Sequence, residues 1–112
     1  MATRKSTYKN NPEIKEIIDT LSSNLDVSEI YLFGSWARGD NTPDSDFDFC
    51  LIYDDDYKIN RYDESYKSYK LIDKIGRTPS DLLFSNKSKF DTEKHFPGIH
   101  KKVFEDGVNL YG

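Results

Sequence analysis

Ile30-Tyr31-Leu32-Phe33-Gly34-Ser35, then the turn-rich residues from Trp36 to Ser45, then Asp46-Phe47-Asp48-Phe49-Cys50-Leu51-Ile52: this stretch decides how the chain is read. Residues 30–33 are short, β-branched and aromatic and stop at Gly34, which predicts a buried strand. Gly39, Asp40, Asn41 and Pro43 leave room for one helical turn at most before a loop. Residues 46–52 alternate, with Asp46, Asp48, Cys50 and Ile52 on one face and Phe47, Phe49 and Leu51 on the other. That pattern predicts a strand with a packed face and an acidic end.

Upstream, Asn11-Pro12-Glu13 is a helix start, with Asn11 as N-cap, Pro12 at the first helical position and an acid in the first turn. Ile14, Ile17, Ile18 and Leu21 form one apolar stripe, and the helix is expected to end near Ser22-Ser23-Asn24. Downstream, Asp54-Asp55-Asp56 closes the strand and is read as capping the next element. Ile59, Tyr62, Tyr66, Tyr69, Ile72 and Ile75 recur at helical spacing, predicting an amphipathic helix over 58–75 that stops at Gly76. Its tyrosines at 62, 66 and 69 are read as packing residues. Asp81-Leu82-Leu83-Phe84 reads as a short strand, and 90–104 as a loop or helix interrupted by Pro97-Gly98. Residues 107–111 form a last strand. The order predicts an α/β (α+β) domain in which helices flank a mixed sheet.

With 112 residues, the chain has room for one small domain, residues 1–112, with a frayed start over 1–10. Aromatic residues make up 14%, which compensates for a hydrophobic fraction of only 36%. The net charge of −4 argues against a dedicated nucleic-acid binder, which normally carries a basic patch. It leaves nucleotides open, because bound metal ions supply positive charge. A single cysteine, Cys50, suits a reducing compartment. No stretch approaches the roughly 20 apolar residues of a membrane span, so a cytoplasmic setting is expected.

The chemistry gathers at the acidic end of the second strand. Gly34-Ser35, where a strand enters a helical turn, presents backbone N–H groups and a hydroxyl to an anion. Alone, such a pair is a common turn. Asp46 and Asp48 lie two apart on a strand, so both carboxylates face one way, about 6.6 Å apart along it. Converging carboxylates repel, by about 4 kcal/mol at 4 Å near a protein surface, unless a cation sits between them. Oxygen-only ligands in small number suit Mg²⁺, which completes its shell with water and substrate phosphates. Asp81 opens a separate short strand; if that strand lies beside residues 46–52, it joins the pair. Three carboxylates from two strands are enough to hold two metal ions.

The spacing Gly34-Ser35, ten residues, then Asp46-x-Asp48, set in Phe33-Gly34-Ser35-Trp36-Ala37-Arg38-Gly39 and Asp44-Ser45-Asp46, resembles the signature of the DNA polymerase beta-type nucleotidyltransferase superfamily. Among its members it is most similar to the minimal nucleotidyltransferases. Arg77-Thr78-Pro79-Ser80-Asp81-Leu82 resembles the segment bearing their third carboxylate. Phe96-Pro97-Gly98 and the stretch from Phe104 to Tyr111 are similar to their ending. The resemblance implies a polymerase beta-like fold and Mg²⁺-dependent transfer of a nucleoside monophosphate, AMP from ATP or the equivalent from another nucleoside triphosphate. It implies two Mg²⁺ ions on Asp46, Asp48 and Asp81, with Asp81 helping to deprotonate the acceptor hydroxyl. Gly34, Ser35 and Arg38 would hold the triphosphate, and Ser45 would hydrogen-bond near the metals. It also implies pairing with a HEPN-family protein, in some cases as the antitoxin of a toxin that it modifies.

Arg38 has a competing reading as an ordinary solvent-facing arginine or an ion pair with Asp40 or Asp44. Trp36 and Cys50 depart from the family pattern, and Trp36 is read either as packing or as a platform for a base or partner. His95 and His100 lie five apart with no Cys or His cluster around them, which argues against zinc. Two other functions stay open: an antitoxin acting by contact alone, and a small-molecule nucleotidyltransferase of the aminoglycoside-modifying kind. The base preference, the acceptor and the oligomeric state are not legible.

Overall fold

The first helix, α1 (Pro12–Asn24), begins where the Asn11 side chain accepts the Ile14 amide at 3.1 Å. It turns Ile14, Ile17, Ile18 and Leu21 inward. Next come β1 (Glu29–Phe33), α2 (Gly34–Arg38), β2 (Phe47–Tyr53), α3 (Arg61–Asp73) and β3 (Ser80–Asn86). Then follow α4 (Lys87–Glu93), α5 (Ile99–Asp106) and β4 (Val108–Tyr111). This computed structural model describes residues 8–112. The frayed start expected over 1–10 therefore lies mostly outside the described residues. Within them, Tyr8–Asn10 makes one 3₁₀ turn and Tyr8 packs against the core.

The strands form one mixed sheet in the order β3-β2-β1-β4. β1 runs antiparallel to both neighbours, whereas β2 and β3 are parallel, with α3 making the crossover. This connectivity brings the end of β1 and the starts of β2 and β3 to one edge, and that edge carries the acids. α1 and α3 cover one face, over Ile30, Leu32, Phe47, Phe49, Leu51 and Tyr53. α4 and α5 contribute Phe90 and Val103 to the other face, over Phe33, Cys50 and Ile52. β2 is therefore covered on both sides, and Cys50 and Ile52 are as buried as the phenylalanines. The acidic face expected over 46–52 ends after Asp48. Among the described residues no helix is long and apolar enough to cross a membrane.

α3 corrects the sequence reading. α3 starts at Arg61, capped by Asn60, whose side chain accepts the Asp63 amide at 3.2 Å. The acids 54–56 do not cap it. Asp55 instead accepts the backbone amide and hydroxyl of Ser88 in the first turn of α4, and Asp54 accepts the Ser28 hydroxyl. The inward stripe of α3 is Glu64, Ser68 and Ile72, while Tyr62 and Tyr66 are 82% and 65% exposed. The reason is a polar anchor that periodicity cannot register. The buried Glu64 carboxylate accepts hydroxyl hydrogen bonds from Tyr53 at 2.7 Å and Tyr57 at 2.5 Å. The two rings stack, with centroids 4.9 Å apart. Its hydrogen bond, then burial, pushes the Tyr57 hydroxyl up to about 12. Glu64→Ala leaves the buried Tyr53 hydroxyl without its acceptor, so it is expected to cost about 2–3 kcal/mol in urea unfolding, with a smaller loss for Glu64→Gln.

On the other face, His100 is buried, with Nε2 3.2 Å from Ser85 Oγ. Burial holds its pKa below the usual value. His95 packs edge-on to Phe104, with ring centroids 6.3 Å apart.

Candidate active site

Three strand ends meet in one row. Phe33 at the end of β1 pairs with Asp48 near the start of β2, and Asp48 pairs in parallel register with Asp81 near the start of β3. Asp46 lies just before β2. Asp48 is half-buried, whereas Asp46 and Asp81 are exposed. Burial raises the Asp48 pKa first, the negative charges of Asp81 and Asp46 raise it further, and Arg38 opposes them. The three acids thus share one electrostatic neighbourhood.

Gly34 begins α2 with φ +75°, a left-handed conformation that side chains with a Cβ rarely adopt. A Cβ there would collide with Oδ2 of Asp48 and lie 3.1 Å from its Cγ. The missing side chain is what allows the turn and the acid to come together. Ser35 follows, and its hydroxyl takes no partner among the described residues. Its carbonyl accepts the amides of Gly39 at 2.9 Å and Asp40 at 3.2 Å, closing the helical turn.

The segment from Gly39 to Asp46 is tethered from below. Trp36 is buried, donates Nε1–H to the Ser45 carbonyl at 3.1 Å and packs edge-on to Phe47. Of its two readings, the structure supports packing. The Ser45 hydroxyl turns back to the Thr42 amide at 2.9 Å. Arg38 pairs with Asp40 at 3.2 Å, as one of its two readings expected, and with Asp106 on α5 at 3.6 Å instead of Asp44. Both pairs are solvent-exposed and weak, so the guanidinium remains available to a stronger anion.

Sequence reasoning missed two contributors. Asp106 holds Arg38 from α5. Glu13 on α1 binds the loop that leads into Asp81. Neither had a local signal, since each acts on residues more than sixty positions away.

The chemistry of the donors, though not a ready-made three-residue group, suits Mg²⁺. The donors are all oxygen and like-charged, and Asp48 already feels the repulsion that a cation relieves. Among the described residues no three His, Cys, Asp or Glu side chains are gathered so that they could hold a metal ion by themselves. An open carboxylate edge is the form Mg²⁺ uses when substrate phosphates and water complete its shell.

Comparison with known proteins identifies the family and the fold. Two proteins of Methanocaldococcus jannaschii, each named a "putative protein adenylyltransferase", are 32% identical to the chain. One aligns over 102 residues, 88% of this chain and 94% of its own length. The other aligns over 100 residues, 84% and 91%. Among solved structures, a "putative nucleotidyltransferase" of Sulfolobus solfataricus is similar in fold, with a TM-score of 0.59 and 24% identity over 88% of this chain and 76% of that one. So is a chain from a toxin-antitoxin crystal structure containing AMP-PNP, with a TM-score of 0.57 and 24% identity over 91% and 74%. The family described as nucleotidyltransferase domain matches residues 13–109. With the sheet, the Gly34-Ser35 turn and the acidic strand edge in view, the chain belongs to that nucleotidyltransferase family.

Proposed function

We infer that this chain transfers AMP from ATP, with Mg²⁺, onto a hydroxyl of a protein partner, and that it releases pyrophosphate. The observation that carries this reading is the pairing of Asp48 with Asp81, beside Asp46, at the strand edge under Gly34. In this reading Asp46 and Asp48 would hold Mg²⁺, and Asp81 would complete a second metal position. Mg²⁺ held there would polarise the phosphoryl oxygens and offset the charge that grows on the departing pyrophosphate. Asp81 accepts the proton of the acceptor hydroxyl as its oxygen bonds to the α-phosphorus and the bond to pyrophosphate breaks. The amides around Gly34 and the free Ser35 hydroxyl hold the terminal phosphates. Arg38 exchanges its exposed acidic partners for the triphosphate. Ser45 shapes the strap that presents Asp46.

A macromolecular acceptor is supported by the exposure of Asp46 and Asp81 at an open edge. The naming of the two archaeal relatives as protein adenylyltransferases supports it too. We take the partner to be a HEPN-family protein. Fold neighbours drawn from toxin-antitoxin complexes are in keeping with such a pairing. The unpaired Cys50 suits a cytoplasmic setting.

The test incubates the purified chain with Mg²⁺, each nucleoside triphosphate labelled at the α-phosphate, and a candidate HEPN partner. Label is expected on the partner from ATP and is expected to vanish with a chelator. Binding to the partner without label transfer would favour an antitoxin acting by contact. Label that persists with Asp48→Asn would overturn the assignment of the acids.

A further inference from the structure

Asp81 is reached through a short surface loop, residues 74–79, in which Arg77 and Pro79 are exposed. A loop of this kind has little to define its position. Here one carboxylate pins its middle, residues 77–78. Glu13, in the first turn of α1, accepts the Arg77 amide at 2.7 Å and the Thr78 amide at 2.9 Å on Oε2. Its Oε1 accepts the Thr78 hydroxyl at 2.9 Å. Three donors on one carboxylate hold the loop against the helix, and hydrogen bonds to a charged acceptor are about twice as strong as neutral ones. Gly76 allows the approach: a Cβ there would lie 3.2 Å from Glu13 Oε2.

The next link runs directly to the acids. The Pro79 carbonyl accepts the Phe47 amide at 3.0 Å, and Phe47 stands between Asp46 and Asp48. Two residues after Pro79, Asp81 falls into register with Asp48. The path is therefore continuous from α1 through Glu13, the amides of 77 and 78 and the Pro79 carbonyl to the strand edge. Glu13 is only partly buried and touches none of the three acids, so a role in the chemistry itself is excluded. Its contacts are with the loop from which β3 starts, and the Tyr69 hydroxyl accepts the Leu82 amide at 3.0 Å just beyond Asp81.

We propose that Glu13 is a positioning residue for the reaction: by clamping residues 77–78 it sets the placement of Asp81 against Asp46 and Asp48. This rests on the assignment of those acids above. Groups that orient metal ligands typically cost about 10–100-fold in metal affinity or activity when removed. Glu13→Ala is expected to fall in that range. Glu13→Gln should recover most of the loss, because its carbonyl oxygen accepts both amides and its NH₂ donates to the Thr78 hydroxyl.

The experiment measures three quantities on the full chain and both variants. These are Mn²⁺ affinity by titration, amide exchange over residues 77–82, and the Mg²⁺ concentration giving half-maximal label transfer. Support consists of weaker Mn²⁺ binding, faster exchange confined to that segment and a raised Mg²⁺ requirement in Glu13→Ala, with rescue in Glu13→Gln. A purely structural role would lower the melting temperature and leave the Mn²⁺ affinity of the folded fraction unchanged, and that result overturns the proposal. So does a wild-type chain that binds no Mn²⁺. If Glu13→Ala does not fold, Glu13→Asp keeps the charge but shortens its reach, and must show the same weakened affinity. If the wild type binds Mn²⁺ but labels no partner, the acceptor reading fails while affinity and exchange still decide the role of Glu13.

Discussion

Asp48→Asn is expected to abolish nucleotidyl transfer and, in metal-free protein, to raise the melting temperature by a few degrees. The first effect follows from losing a charged ligand at the centre of the row formed with Asp81 and Asp46. Charge stabilisation by a metal is worth several kcal/mol, so the rate should fall by roughly 10³-fold or more. The second effect follows from the cost of keeping that ligand. Burial first, then Asp81 and Asp46, raise the Asp48 pKa above its ordinary value of 3.8. Between 3.8 and that raised value the folded chain holds a proton that the unfolded chain has released, so stability falls as pH rises through this window. The penalty is absent below 3.8 and complete above the folded pKa. The gain from Asp48→Asn should thus be present at neutral pH and disappear in acid. Added Mg²⁺ should stabilise the wild type more than the variant. A variant that melts no higher than the wild type at neutral pH, without metal, would contradict this account.

Gly34→Ala is expected to be almost as damaging to activity, and unlike Asp48→Asn it should also destabilise. A left-handed backbone costs an L-residue about 1–2 kcal/mol. The added Cβ also drives into the Asp48 carboxylate. Either the turn or the acid has to move, and a misplacement of about 1 Å at a reacting centre costs roughly 10²-fold in rate. The two contributions separate in a double-mutant cycle. In an Asp48→Ala background the obstructing carboxylate is gone, so Gly34→Ala should keep the backbone part of its stability cost and lose most of the rest, the Cβ of residue 48 at 3.3 Å being the contact that stays. Equal costs in both backgrounds, measured by urea unfolding, would show that the close approach to Asp48 carries no energy.

Much of the fold was legible because its local signals are strong. The Asn11 cap and the stripe from Ile14 to Leu21 specify α1 without reference to anything distant. Gly34 ends β1, and Phe47 and Phe49 orient the start of β2, so the side on which Asp48 stands follows from alternation alone. The tyrosines of α3 show where such reading fails. Tyr62 and Tyr66 have core-facing spacing yet are exposed, because the helix turns Glu64 and Ser68 inward; Tyr69 is half-buried, and its hydroxyl accepts the Leu82 amide at 3.0 Å. Spacing records only how apolar a position is, whereas Glu64 is held by two hydroxyls from the end of β2 and the segment beyond it. The acids at 54–56 mislead in the same way, since the helix terminus that Asp55 serves belongs to α4.

The sequence alone determined the side of β2 on which Asp48 stands, the turn at Gly34-Ser35 and the spacing between them, because each depends on backbone periods of a few residues. Only the tertiary structure decided that Asp81 stands beside Asp48, since this requires β3 to pair in parallel with β2 after the α3 crossover. It also decided that Gly34 needs to be glycine because of Asp48 as well as its φ, that Arg38 reaches α5, and that Glu13 holds the loop before Asp81. Each of these joins residues far apart in the chain, and such contacts are selected by the packing of the whole sheet between its helices.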